Sequence, residues 1–345
     1  MPEPVLLAGF DAGQTHTTCR LADRHSDGSL RVLAEGDGPG VSHLAAAAGE
    51  ERFSAALRLS LQRARAAAAS KGEQALSTAL LDAAAVGASG IEQGSAVQRL
   101  GTTLAAAAIG LPLERVLVSG DERTALLGAF GGGPGIVVIS GTGCIALGRN
   151  SSGDEHRCGG WGWLLDQAGS ACDIGRDALI RSLEMADGRR HESDFRSRLW
   201  AALGDGTITP QRIKAMVVEP GFGAAGFARL APAVHALAEA GDPDANSVLE
   251  RSARGLVELV AGVAQALDLQ GGEVCGLGGA LEHLSLFSAA YQRRLRLVLP
   301  QAQLVPPRGD ACQGALQLAA GLLSLERPQA ALNSTSPDPG ALRPG

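Results

Sequence analysis

The chain has almost no lysine. Only Lys71 and Lys214 occur among 30 basic residues, so arginine carries nearly all of the positive charge. There is no basic tract, and the formal net charge is -6. Nucleic-acid recognition needs clustered positive charge, so it is not expected. The arginine bias sits beside abundant alanine and glycine and reads as coding composition rather than as a phosphate-binding face. No apolar run approaches the ~20 residues of a membrane span. The opening Met1-Pro2-Glu3-Pro4 is too polar for a secretory signal. Cys19, Cys144, Cys158, Cys172, Cys275 and Cys312 include no C-x-x-C pair. They read as thiols of a cytoplasmic protein rather than as a disulfide framework. His156, Cys158 and Cys172 fit no standard zinc spacing and read as structural. Neither a full G-x-G-x-x-G nor a G-x-x-x-x-G-K-[ST] is present, which removes the Rossmann and P-loop readings.

What is present is enough for two ordinary domains: 345 residues, of which 45% are hydrophobic. Val5–Phe10 is an apolar run, then a turn at Asp11-Ala12-Gly13-Gln14-Thr15 leads to a strand over Thr17–Ala22. Asp27-Gly28 is a hairpin signal before a third strand, Leu30–Glu35. Helical spacing follows over Leu44–Lys71 and Ala96–Ile109, with strands expected at Ala83–Ser89 and Val116–Val118. A short helix is expected from Asp121 to Phe130. The glycine run Gly131–Gly135 then breaks the chain and is read as a domain boundary, giving domains over 1–131 and 132–311.

The second half restarts in the manner of the first. Ile136–Ser140 is a strand, Gly141-Thr142-Gly143 a turn and Cys144–Arg149 a return strand. Strand, Gly/Thr turn, strand thus occurs twice, as an internal duplication of architecture rather than of sequence. Helices are expected at about 173–186, 192–203, 211–217, 224–240 and 244–268, and a strand at Glu273–Leu277 ends in Gly278-Gly279. Leu295–Val305 reads as strand-like, with Pro300 disturbing its register. Residues 312–325 read as a helix, and 327–345, rich in Pro, Ser, Asn and Gly, as a disordered tail.

Several turns carry chemistry. In the first, Gly13 allows main-chain N–H groups to point inward at a phosphate oxygen, and Thr15 and Thr17 add hydroxyl donors. Asp11, at the strand end, could hold a Mg²⁺ ion through water. Each feature also suits an ordinary hairpin. The same holds for Ser140-Gly141-Thr142-Gly143, but two such turns at the heads of two halves are harder to dismiss. Asp121 opens a helix, where an aspartate often serves as an N-cap worth about 1 kcal/mol. It is also where a general base could stand. Gly159-Gly160-Trp161-Gly162-Trp163 places two tryptophans among glycines, either as a packed turn or as the lining of a sugar site. Gly278-Gly279 could open a helix beside a nucleotide.

In this order, Asp11-x-Gly13-x-Thr15, Ser89-Gly90, Asp121, Ser140-Gly141-Thr142-Gly143, Gly159-Gly160-Trp161-Gly162, Ala168-Gly169-Ser170 and Gly278-Gly279 resemble the N-acetylglucosamine kinase branch of the BadF/BadG/BcrA/BcrD ATPases, within the actin/hexokinase/Hsp70 superfamily. The resemblance spans about residues 5–325. It implies an α/β fold of two ribonuclease-H-like, actin-like ATPase domains with an interdomain cleft, the helix at about 312–326 packing back on the first domain. It implies ATP and Mg²⁺ as cofactors, a small-molecule sugar as substrate, and a homodimer. Gly13, Gln14, Thr15, His16, Thr17, Gly141, Thr142, Gly143, Gly278 and Gly279 would then contact the nucleotide. Asp11 would orient the metal. Ser89, Gly90, Asp121, Thr142, Gly160, Trp161, Asp166 and Gln167 would line the sugar, and Asp121 would deprotonate its 6-hydroxyl.

Three departures fall outside the family's usual pattern. His16 stands where the first loop usually has lysine. The segment after the tryptophans usually reads G-D-E-G-S, whereas here it is Asp166-Gln167-Ala168-Gly169-Ser170, so Asp166 is the available carboxylate one residue early. Val41-Ser42-His43 replaces a segment that usually holds an asparagine. The expected activity is therefore an amino-sugar kinase. An activator ATPase and a sugar sensor without turnover are the alternatives, the first disfavoured because Cys144 and Cys158 sit in no iron–sulfur cluster pattern.

Overall fold

The computed structural model describes residues 5–166, 169–204 and 207–324. The expected tail, 327–345, and Gln167 lie outside the described residues. In chain order the elements are β1 Val5–Ala12, β2 His16–Arg24, β3 Leu30–Pro39, α1 Gly49–Ser70, β4 Ala83–Ala88, α2 Ala96–Ile109, β5 Val116–Gly120, α3 Asp121–Phe130, β6 Gly135–Ser140, β7 Cys144–Arg149, β8 Glu155–Gly159, α4 Ala171–Ala186, α5 Asp194–Ala201, α6 Pro210–Met216, α7 Gly223–Ala228, α8 Ala231–Glu239, α9 Pro243–Leu267, β9 Glu273–Leu277, α10 Gly279–His283, α11 Ser285–Val298, β10 Gln303–Leu304 and α12 Ala311–Ser324. They form two compact units. One comprises the residues up to Gly128 with those from Asp310 onward, and the other is Ala129–Gly309.

In the first unit a five-stranded sheet runs β3-β2-β1-β4-β5. β1, β2 and β3 form an antiparallel meander, while β1, β4 and β5 are parallel. β1 is nearly all buried, as a central strand covered on both faces must be. Its side chains alternate. Leu6, Ala8 and Phe10 join the core under α1 and α2, while Leu7 joins the core under α12. The α12 face is built from small residues, Ala83 and Ala85 among them. Gly9 shows why: a Cβ there would meet the Cys312 carbonyl oxygen at 2.7 Å and the Leu316 Cγ at 2.8 Å.

The second unit repeats the plan. Its sheet runs β10-β9-β6-β7-β8, with β6-β7-β8 an antiparallel meander and β9 parallel to β6. The long α9 packs on β6, β7 and β8 and buries Val248, Leu249, Leu256, Val260, Val263 and Leu267 on one stripe. No described helix is long and apolar enough to cross a membrane.

Three expectations fail. The strand-like reading of 295–305 is wrong, because α11 runs through Val298 and only Gln303–Leu304 pairs, with β9. The helical period begins upstream, with Phe287, Ala290, Tyr291 and Leu295 buried on one face, and Pro300 lies beyond the helix end. The single helix expected over 224–240 is two, α7 and α8, because Pro232 cannot continue the first. The first long helix starts at Gly49 rather than Leu44, after Ala48 at φ 55°.

Candidate active site

In the first unit, the carboxyl ends of the parallel strands β1, β4 and β5 gather most of the candidate residues. Pairing places Asp11 opposite Gly87, and Gly87 opposite Ser119, so Asp11, Ser89 and Asp121 follow at one edge of the sheet. Ligands of open α/β sheets bind at that edge. The Ser89 N–H donates to the Ala12 carbonyl at 3.1 Å, and Gln14 Nε2 donates to Ser89 Oγ at 3.4 Å. The β1–β2 turn closes through Gly13 N–H to the His16 carbonyl at 3.0 Å. The chain after β3 crosses beside it, with Val41 N–H on the Gly13 carbonyl at 2.9 Å. Gly40 has no room for a Cβ there, which would lie 2.1 Å from the Gln14 carbonyl oxygen. Thr15 Oγ1 pairs with His16 Nδ1 at 3.3 Å, whereas the buried Thr17 hydroxyl has no protein hydrogen-bond partner. Gly90, at φ +80°, packs by His43.

The carboxylates at this edge are perturbed. Burial first, then the Asp121 charge, lift the Asp11 pKa to about 6, with His16 opposing and Asp310 adding to the rise. Asp121 is pushed well above the usual carboxylate range by burial and then by its neighbour Glu122. A group kept poised in this way is what proton abstraction near neutral pH requires. Asp310 was not visible as a site residue. Its signal is faint, an aspartate just before an apolar helix, where it caps α12 through the Gln313 N–H at 2.9 Å.

In the second unit the turn 141–143 joins β6 to β7, and Gly141 N–H donates to the Gly143 carbonyl at 2.9 Å. It is buttressed by the start of α4, where Ala171 N–H donates to the Gly141 carbonyl at 2.9 Å. β9 ends beside it. Gly278, at φ +96°, lies against Ser140, and a Cβ would meet the Ser140 carbonyl oxygen at 2.5 Å. Ser140–Gly143 and Gly278-Gly279 therefore share one sheet edge, as the first-unit residues do in theirs.

The tryptophan loop packs onto the same hairpin. Gly160 N–H donates to the Cys144 carbonyl at 3.1 Å. The Asp166 carboxylate accepts the Trp161 N–H at 2.7 Å. Arg157 lies 4.8 Å over the Trp161 ring, which stays 62% exposed. Arg176 donates to the Trp163 and Asp166 carbonyls at 2.6 and 3.3 Å. Thr142, Gly160, Trp161 and Asp166 are thus tied to one hairpin, though Asp166 is spent on holding Trp161. Arg157 and Arg176 were missed because nothing in the sequence singles out two arginines among many. No disulfide joins the six cysteines, and no cluster of three His, Cys, Asp or Glu suited to a metal occurs among the described residues.

The chain is 28% identical over 207 residues to an N-acetylmuramic acid/N-acetylglucosamine kinase of Clostridium acetobutylicum, covering 59% of this chain and 67% of that one. It is 31% identical over 190 residues to an N-acetyl-D-glucosamine kinase of Dictyostelium discoideum, covering 54% of this chain and 59% of that protein, less than two thirds of its length. A solved structure from Chromobacterium violaceum, of a protein proposed to be an N-acetylglucosamine kinase, is 29% identical with a TM-score of 0.70, covering 92% of this chain and 100% of that one. The fold is accordingly the two-domain α/β fold of the actin-like sugar kinases. With a match that runs from residue 8 to residue 315, the chain belongs to the BadF/BadG/BcrA/BcrD ATPase family.

Proposed function

We propose that this chain is a cytoplasmic, ATP-dependent amino-sugar kinase that phosphorylates the 6-hydroxyl of N-acetylglucosamine or glucosamine. The observation that carries the reading is Asp121. It follows β5 directly and opens α3, and burial holds its carboxyl far enough up to accept a proton near neutral pH. As the sugar oxygen bonds to the γ-phosphorus, the bond from that phosphorus to the bridging oxygen breaks and ADP leaves with the electron pair. Asp121 takes the hydroxyl proton. The hairpins at Gly13–Thr17 and Gly141–Gly143 supply main-chain N–H groups to the phosphates, Gly278-Gly279 meets the nucleotide's other end, Ser89, Gly90, Gly160 and Trp161 meet the sugar, and Asp166 acts through the Trp161 main chain that it holds. Such catalysis is mostly positioning and charge neutralisation.

Mg²⁺ fits Asp11. Asp121 and Asp310 raise the Asp11 pKa without neutralising it, the condition a cation relieves. Mg²⁺ typically takes one or two carboxylates together with substrate phosphates, not an all-protein cage. The ion would screen charge on the phosphates. A homodimer is part of the same proposal, checked by light scattering.

The test is a coupled ADP-release assay over amino sugars and hexoses, with the product identified by mass spectrometry. Release that depends on N-acetylglucosamine or glucosamine supports the proposal. Hydrolysis independent of sugar would make the chain an ATPase, and thermal stabilisation by sugar without release would make it a sensor.

A further inference from the structure

A chain of polar groups in the second unit is absorbed by none of the roles above. Ser252, on α9, is only 1% exposed, and its Oγ accepts the Gly169 N–H at 3.2 Å. The Gly169 carbonyl in turn accepts the Ser140 hydroxyl. On its other side Ser252 faces Asp173, on α4, which is 3% exposed. Neither Asp173 oxygen has a well-formed hydrogen bond. Burial raises the Asp173 pKa, and the groups that pull it back are Ser252, then Arg251 and Arg176, the two arginines standing 3.5 Å away. Asp177 adds a like charge.

The geometry is directional. With a lone pair of Ser252 Oγ taking the Gly169 N–H, the hydroxyl hydrogen is the group left to face the Asp173 carboxylate. Gly169 cannot easily be held in another way. It sits at φ +100°, and a Cβ would lie 2.9 Å from Leu256 Cδ1, so the glycine is pressed on α9. Gly169 follows the segment that starts at Asp166, and its carbonyl is fixed to Ser140, the residue before the Gly141–Gly143 turn. Ser170 caps α4 through the Asp173 N–H at 3.1 Å.

We propose that Ser252, oriented by Asp173, is a positioning residue that fixes Gly169 and Ser170, at the head of α4, to the 140–143 hairpin, and through Arg176 of α4 steadies the tryptophan loop. This rests on the kinase reading only for its effect on turnover. Ser252 touches no substrate. It holds the start of α4, whose Arg176 binds the Trp163 and Asp166 carbonyls.

Ser252→Ala removes one oxygen without adding bulk, and Ser252→Thr keeps the hydroxyl. Two readouts are compared with the unmodified protein: amide hydrogen exchange of the Gly169 N–H and the 140–143 turn, and KM and kcat for the sugar that gives ADP release. Ser252→Ala is expected to exchange the Gly169 amide about tenfold faster and to raise the sugar KM about tenfold, as loss of one buried hydrogen bond allows, with kcat changed less than about threefold. Ser252→Thr is expected to restore both. Unchanged Gly169 exchange in a folded Ser252→Ala protein overturns the proposal, as does a fall in kcat with the sugar KM unmoved. If the unmodified chain releases no ADP with any sugar, the kinase reading fails by itself, and the exchange measurement still decides the network.

Discussion

Arg20 and Asp310 form a two-pronged ion pair. Both terminal guanidinium nitrogens donate to the carboxylate, at 2.7 and 2.6 Å, although the residues are 290 positions apart. The Arg20 side chain is 14% exposed, and its Nε donates to Glu35. The pair fastens α12 to β2, while Asp310 also caps the helix. Bidentate, partly buried geometry of this kind is worth more than a surface pair. Arg20→Ala is expected to destabilise the protein by about 1 kcal/mol, because a bidentate pair and the packing of the half-buried guanidinium stem are lost while the exposed Asp310 stays solvated. Chemical denaturation checks this, and an unchanged midpoint would show that the packing of α12 alone suffices.

Gly314 tests the close approach of α12 to α3. A Cβ at this position would lie 1.9 Å from the Thr124 carbonyl oxygen and 2.7 Å from the Gly128 nitrogen. Both are main-chain atoms and cannot swing away. Gly314→Ala is expected to cost about 2 kcal/mol or more by overpacking, whereas Gly321→Ala on the same helix, with nothing within 4 Å, is expected to be neutral or mildly stabilising.

Asp11 predicts a trade between activity and stability. Its folded-state pKa of about 6 lies above the ordinary 3.8, so the folded state holds a proton more tightly than the unfolded chain. The stability contribution is complete below the ordinary pKa and is lost as pH rises through about 6. In metal-free, nucleotide-free protein at pH 7, Asp11→Asn is therefore expected to raise the melting temperature, by the equivalent of ~1–3 kcal/mol. The gain should vanish below about pH 4. Activity should fall at least a hundredfold in the same variant. A melting temperature lower than wild type at pH 7 would contradict the assignment of Asp11 as a strained carboxylate.

Asp121→Asn is expected to lower kcat by a factor of about 10³ or more while ATP binding, followed by calorimetry, persists. In the unmodified protein kcat/KM should decline on the acid side with an apparent pKa well above that of an exposed aspartate, since the base must be ionised to accept the proton. A variant that keeps wild-type turnover removes Asp121 from the chemistry.

Asp166 is expected to act on the sugar through Trp161. Its carboxylate holds the Trp161 main chain at 2.7 Å, so Asp166→Ala frees the loop. The sugar KM should rise about tenfold, the ATP KM less, and the change in tryptophan fluorescence on sugar addition should diminish. Equal effects on both KM values would point to a hairpin contact instead.

The turns that carry the candidate site were easier to read from the sequence than the helices around them. β1 with its turn, β6 with its turn and the Asp121 junction are local: apolar runs ending in Gly, Thr or Asp, legible wherever the chain folds. The duplicated strand order could be anticipated from those runs because each half must cover a sheet in the same way. α11 was misread because its period was sampled from the middle, at Leu295, where apolar residues and Pro300 mimic a disturbed strand. The Arg20–Asp310 pair and the Ser252–Gly169 contact are different in kind. They join residues 290 and 83 positions apart, and no local pattern announces them.

The first unit is discontinuous, and this sets the order in which a growing chain can complete its parts. Leu7, Ala22, Ala83 and Ala85 present a strip of apolar surface that α12 covers. On a ribosome that strip stays bare until residues 311–324 have left the exit tunnel, after every residue of the second unit. Domains usually finish in the order of synthesis. Here the unit that begins first closes last, so truncation before Ala311 exposes a sticky sheet at the opposite end of the sequence.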